Sequence, residues 1–178
     1  MDNEYREFGR LLWQARKRRG LKKRAVARMV GVRDELLDEV ELGLALPTLV
    51  VFARLWALLG FDGGALLDAL PSRMGCSGVL SWSRSGPGNH RRFGWQLCLA
   101  RLRVGMPRGL LARAVGCSSS ELACIEAGDA LPTLLALARL RWSLDCRVDG
   151  LLAAALWHPS PEPVATFASW RAGMQEVA

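Results

Sequence analysis

Glu41-Leu42-Gly43-Leu44-Ala45-Leu46-Pro47-Thr48-Leu49 returns 85 residues later as Glu126-Ala127-Gly128-Asp129-Ala130-Leu131-Pro132-Thr133-Leu134. The match grows outward in both directions without a gap. Phe8 to Leu70 lies over Phe93 to Ala155, with 26 of 63 positions identical, among them Arg16/Arg101, Gly20/Gly105 and Gly31/Gly116. Chance does not produce an ungapped agreement of that length. The chain therefore reads as two copies of one unit of about 65 residues. The expected organisation is a first repeat over 1–70, a linker over 71–91, a second repeat over 92–156 and a tail over 157–178.

The linker carries Pro71-Ser72-Arg73-Met74-Gly75-Cys76-Ser77-Gly78 and Ser83-Arg84-Ser85-Gly86-Pro87-Gly88-Asn89, rich in turn-forming residues. The apolar insert Val79-Leu80-Ser81-Trp82 between them is expected to dock on a repeat. The tail opens with three prolines, and Val164 to Met174 is expected to form a short helix.

Inside each repeat the apolar spacing is helical. Phe8, Leu11, Leu12 and Ala15 recur at three and four and mark helix 1, which Gly20 ends. Lys22 to Met29 reads as helix 2, Gly31-Val32 as a tight turn, and Arg33 to Glu41 as helix 3 with Leu37 and Val40 inward. Gly43 caps that helix, and Pro47 opens a fourth near its N-terminus, Thr48 to Leu59. Leu66, Leu67 and Leu70 suggest a fifth. No segment alternates long enough to be a strand, so the expected class is all-α, with about five short helices per repeat.

Composition narrows the function. The 178 residues are 51% hydrophobic and 23% charged, which predicts a folded chain. The net charge of +7 points to an acidic partner. Only three of the 24 cations are lysines and isoleucine occurs once, a bias typical of GC-rich coding, so arginine abundance by itself carries little. The acidic start Met1-Asp2-Asn3-Glu4 does not read as a signal peptide. Leu44 to Phe61, interrupted by Pro47 and Arg54, reads as core and not as a membrane span. Cys76, Cys98, Cys117, Cys124 and Cys146 form no Cys-x-x-Cys pair and predict reduced thiols in a cytoplasmic protein. His90 and His158 stand outside any triad or metal spacing. With no phosphate-binding glycine loop or nucleophile elbow, an enzyme is not expected, nor a cofactor or metal.

Helix, glycine turn, helix, then Glu-x-Gly-x-x-x-Pro resembles the Cro/C1-type helix-turn-helix family, which includes the phage lambda repressor. In the first repeat the resemblance rests on Arg16-(x3)-Gly20-Leu21, Val26-Ala27, Gly31-Val32, Leu37, Val40-Glu41-x-Gly43 and Pro47. In the second it rests on Arg101, Gly105-Met106, Leu111-Ala112, Gly116-Cys117, Leu122, Ile125-Glu126-x-Gly128 and Pro132. It implies structural ion pairs, Arg16 with Glu41 and Arg101 with Glu126. It also implies that helix 3 enters the major groove while helix 2 lies across the DNA backbone.

Carried over, the base-facing candidates of the second repeat are Arg108, Ser119, Ser120 and Cys124, with Arg113 on the backbone. Ser118 is the expected cap, boxed with Glu121. Serine hydroxyls suit a groove but specify weakly. The plain alternative is that Ser118 to Ser120 make only a cap and turn, and that Cys117 and Cys124 are small filler rather than sensors.

The first repeat departs from the pattern. Asp34, Glu35, Asp38, Glu39 and Glu41 put five carboxylates on the helix that should meet phosphates. Its basic run, Arg16 to Arg28, includes Lys22, Lys23 and Arg24 at the start of helix 2, where cations oppose the helix dipole unless an anion is bound. The alternative is a solvated face that neutralises helix 3. Neither loop after helix 3 carries a cation.

The expected function is a transcriptional regulator binding double-stranded DNA, with the second repeat as base reader and with homodimerisation as a further mode. Its rival is a protein-binding regulator of antitoxin or antiactivator type, recognised through the acidic third helix of the first repeat.

Overall fold

The computed structural model describes residues 4–71, 83–84 and 90–157. The insert Val79 to Trp82, the tail stretch Val164 to Met174, Cys76 and His158 lie outside the described residues.

Five helices form the first repeat: α1 (Arg6–Arg18), α2 (Lys23–Val30), α3 (Asp34–Glu41), α4 (Leu49–Leu59) and α5 (Gly63–Asp68). Five form the second: α6 (Arg91–Arg103), α7 (Arg108–Val115), α8 (Ser119–Ala127), α9 (Leu134–Leu144) and α10 (Asp149–Leu156). The protein is all-α. Among the described residues, one departure from helices and their connections exists: Ser83–Arg84 (β1) pairs antiparallel with Ala130–Leu131 (β2). Two residues per strand are too few for alternation to show in a sequence.

The same devices shape both repeats. Gly31 and Gly116 have φ of +75° and +85°, the left-handed turn that joins helices 2 and 3 and that a side chain resists. Thr48 and Thr133 cap the fourth helices by accepting from Val51 N–H and Ala136 N–H. Arg54 donates to the Val30 carbonyl and Arg139 to the Val115 carbonyl, both at 2.9 Å, tying helix 4 to the end of helix 2. Gly9 and Gly94 let helix 1 cross helix 3 at backbone contact. A Cβ there would stand 2.6 Å from the Val40 and Glu41 carbonyl oxygens, or 2.4 Å from those of Ile125 and Glu126.

Phe8, Leu12, Val26, Leu37 and Phe52 are buried in the first repeat, and Phe93, Leu97, Leu111, Leu122 and Ile125 in the second. These belong to one continuous cluster that runs through both repeats. The repeats meet by α10 packing on α4 and α5 packing on α9. With an offset of 85, α4 corresponds to α9 and α5 to α10. Each repeat thus lays its fifth helix on the other's fourth, one contact made twice, as across a two-fold axis. Gly63 and its counterpart Val148 lie together at that junction, with Leu152. Asp68 on α5 accepts from Arg141 and from Trp142 Nε1, the latter at 2.8 Å.

Candidate nucleic-acid interface

At the centre of each repeat a guanidinium is buried against a carboxylate. Arg16 Nε donates to Glu41 Oε1 at 2.5 Å and Nη2 to Oε2 at 2.6 Å, with both side chains under a tenth exposed. Arg101 and Glu126 repeat this at 2.5 and 3.2 Å. The third donor of each arginine reaches the carbonyl after its helix, Leu21 or Met106. The fork geometry satisfies charge and donors together, as burial requires. It also fixes the C-terminal end of the third helix against helix 1.

In the second repeat Glu126 has a further donor, Arg108 Nε at 2.9 Å, from a side chain about half exposed. Burial raises the Glu126 pKa. Hydrogen bonds from Arg101 and then Arg108 outweigh that and hold it below the ordinary value. Ser118 caps α8 by accepting from Glu121 N–H at 3.1 Å, while Glu121 Oε2 accepts from Ser118 N–H at 2.8 Å. This is a complete capping box. Both carboxylates of α8 are thereby engaged within the protein. Ser119, Ser120 and Cys124 are exposed along the remaining face, and Arg113 is exposed on α7. Helices 7 and 8 adjoin at their starts, where a Cβ on Gly109 would stand 3.6 Å from Ser119 Oγ. Cys117 is partly covered, and burial, then the charge of Glu121, pushes its thiol up to about 11. That environment is the opposite of an activated thiol.

The first repeat spends its cations differently. Lys23, which corresponds to Arg108, pairs with Asp38, and Arg24 pairs with Asp34 at 3.2 Å. Asp38 has Ala123 as its counterpart, so Arg108 has no acid there and goes on to Glu126. Of the three cations at the start of α2, two therefore face carboxylates of α3, which offsets the helix-dipole cost without a bound anion. Lys22 is the N-cap residue and makes no side-chain cap. Glu35 and Glu39 remain exposed on α3. Beyond them Leu42 and Leu44 are 60% and 65% exposed, where phosphate-holding cations would stand in a DNA-binding loop.

The sequence reading did not single out Gly9 and Gly94, although their identity across the repeat was a usable signal. It also did not place Arg108 beside Arg101 on Glu126, a contact set by the packing of α7 on α8. Among the described residues, no helix is long and apolar enough to cross a membrane, and no group of His, Cys, Asp and Glu could hold a metal ion.

Comparison with curated proteins and with solved structures finds no match. Residues 7–70 match the family model of a helix-turn-helix domain. The match spans the first five helices and supports a helix-turn-helix domain there, a class found in general in DNA-binding regulators.

Proposed function

We propose that the chain is a DNA-binding transcriptional regulator in which two Cro/C1-like repeats form a covalent counterpart of a two-fold dimer. The supporting observation is the state of α8. Its capping box and its shared arginine pair withdraw both acids, leaving a neutral face of Ser119, Ser120 and Cys124 for the major groove. The Arg108–Glu126 contact is half exposed. Such a pair contributes about 0.2–1 kcal/mol. A phosphate or guanine can therefore compete for Arg108, while Arg101 keeps Glu126 neutralised. Arg113 and, on the first repeat, Lys22 and the exposed Arg28 contact the backbone. Joining the repeats raises the effective concentration of the second once the first is bound. The two reading helices are unlike, so the operator is non-palindromic, with its specific half under α8.

The test is selection of bound sequences from a random DNA pool, followed by mobility shift. One specific half-site is expected, with binding lost in the Arg108→Ala/Ser119→Ala double variant and the logarithm of affinity falling linearly with the logarithm of salt. Undiminished binding by that variant refutes the assignment to α8. No DNA binding at low salt favours the second reading, a protein-binding regulator. The exposed Leu42 and Leu44 beside Glu35 and Glu39 are the observation on its side.

A further inference from the structure

One short stretch is built alike in both repeats and finished in only one. Ala45-Leu46-Pro47-Thr48 and Ala130-Leu131-Pro132-Thr133 are identical, and each stretch closely follows a glycine of left-handed φ, +71° at Gly43 and +81° at Gly128. The turn before it closes the same way. Leu44 N–H donates to the Glu39 carbonyl at 2.7 Å, and Asp129 N–H to the Cys124 carbonyl at 2.9 Å. A capping threonine ends the stretch in both. In the second repeat Ser83–Arg84 lies antiparallel on it, Ser83 opposite Leu131 and Arg84 opposite Ala130, and Ala130 and Leu131 are buried. Among the described residues no strand pairs with Ala45–Leu46, and both are only half-buried. Ala45 N–H reaches the Glu39 carbonyl only at 3.4 Å. Backbone that holds a strand in one repeat is thus left as an edge in the other.

The first repeat also surrounds this edge with its own chemistry. Leu42 and Leu44 are exposed where the second repeat has Ala127 and Asp129. Glu35 and Glu39 are exposed one turn apart on α3, where the second repeat has Ser120 and Cys124. They are the acids that remain after Arg16, Lys23 and Arg24 have engaged Glu41, Asp38 and Asp34. The fold does not require them, since the second repeat is built without acids at those places. A second copy meeting this edge across a two-fold axis would bring like charges together. DNA phosphates are repelled for the same reason. Backbone and charge together select an extended segment that is basic, with apolar side chains to cover Leu42 and Leu44.

We propose that the Ala45–Leu46 edge takes an extended, basic segment of a partner protein by strand addition, antiparallel as Ser83–Arg84 is on the second repeat. Main-chain bonds hold the segment, and Glu35 and Glu39 select its lysines or arginines. The surface is the one on which the protein-binding reading rests, and its occupation is compatible with DNA reading by α8. Loss of segment binding and loss of DNA binding are therefore separate results.

The probe is a fluorophore-labelled peptide, Arg-Val-Arg-Val-Arg-Val, titrated with the full chain and followed by anisotropy. The chain carries +7 overall, which opposes non-specific attraction of a basic peptide, so binding reports the local acidic face. Saturable binding is expected, weakened about threefold or more by Glu35→Gln/Glu39→Gln. N-methylation of the peptide amides should weaken it about fivefold or more, because main-chain bonds are lost. Both glutamates are exposed, and an unchanged far-UV circular dichroism spectrum verifies the fold of the variant. Hydrogen exchange followed by NMR should show the Ala45 or Leu46 amide protected by the peptide, with the amides of α8 unchanged. Absence of binding, equal affinity for the variant or the methylated peptide, or no protection at Ala45 and Leu46 overturns the proposal. So does a dimer of the chain that the peptide disperses, which would put a second copy on the edge.

Discussion

The buried arginine–carboxylate forks offer an internal comparison, because the same pair is built twice and the carboxylate of one has a second arginine, while Arg101 also reaches Cys98 Sγ at 3.6 Å. Replacing Arg16 by Met leaves Glu41 in a site where both side chains are under a tenth exposed. Breaking a buried pair in this way costs about 3–5 kcal/mol, since the remaining charge is uncompensated. Replacing Arg101 by Met removes an equivalent fork and an equivalent bond to a backbone carbonyl. Glu126, however, keeps Arg108 at 2.9 Å. A charged hydrogen bond gives about 1.5–3 kcal/mol when buried. The half exposure of Arg108 reduces that to about 0.2–1 kcal/mol. Arg101→Met should therefore cost less than Arg16→Met by about 0.2–1 kcal/mol. At roughly 2–4 °C per kcal/mol for a chain of this size, the two melting temperatures should differ by up to about 4 °C. Urea unfolding followed by circular dichroism reads the same difference in free energy. Adding Arg108→Ala to Arg101→Met should erase the advantage, and adding Glu41→Leu to Arg16→Met should recover much of the loss. Equal costs for the two arginines, or a larger cost for Arg101, would refute the reasoning.

Gly9→Ala and Gly94→Ala should each destabilise by at least about 1–3 kcal/mol in urea melts, because the added methyl meets carbonyl oxygens that cannot step aside. Ser118→Ala should cost about 0.5–2 kcal/mol through loss of the cap, and a Gln at Glu121 should cost less because it preserves the reciprocal acceptor. Glu126 is held below the ordinary carboxylate value in the fold, so its contribution is present above about pH 4.5 and is lost as pH falls. Glu126→Gln should lower stability at neutral pH and flatten the acid limb of the pH–stability curve. The raised Cys117 thiol works in the other direction: folding favours the protonated form, so stability declines as pH rises from 9 toward 11. Cys117→Ala should remove part of that decline, to which Cys146 and Tyr5, both raised by burial, also contribute.

Much of the fold was legible because helices announce themselves locally. The three- and four-residue spacing of Phe8, Leu11, Leu12 and Ala15, the glycine at each turn and the threonine cap after each Pro are short-range rules, and the repeat shows each of them twice. The pairing of Arg16 with Glu41 and of Arg101 with Glu126 came from the resemblance to the Cro/C1-type family, and the repeat sets both pairs at one separation. What sequence alone could not decide is where charges go when several partners are within reach. Lys23 and Arg24 turn to Asp38 and Asp34, whereas Arg108 passes Ala123 and joins Glu126, because packing α2 on α3 sets those distances. The assignment of the basic start of α2 to phosphates therefore competes with the neutralisation of helix 3 that the charge pattern already offered, to which packing adds the partners, Lys23 with Asp38 and Arg24 with Asp34.

An all-α chain with an internal match over 63 positions can be read from the sequence, with the acids of α3 and the serines of α8 at aligned places. That α4 meets α10 and α5 meets α9, joining the two repeats through a single core, emerges from long-range packing. Helix periodicity tells which face of a helix is apolar, but not which apolar face it will bury. That choice is a long-range one, made where Gly63 leaves room for Val148 and Leu152 and where Asp68 accepts from Arg141 and Trp142.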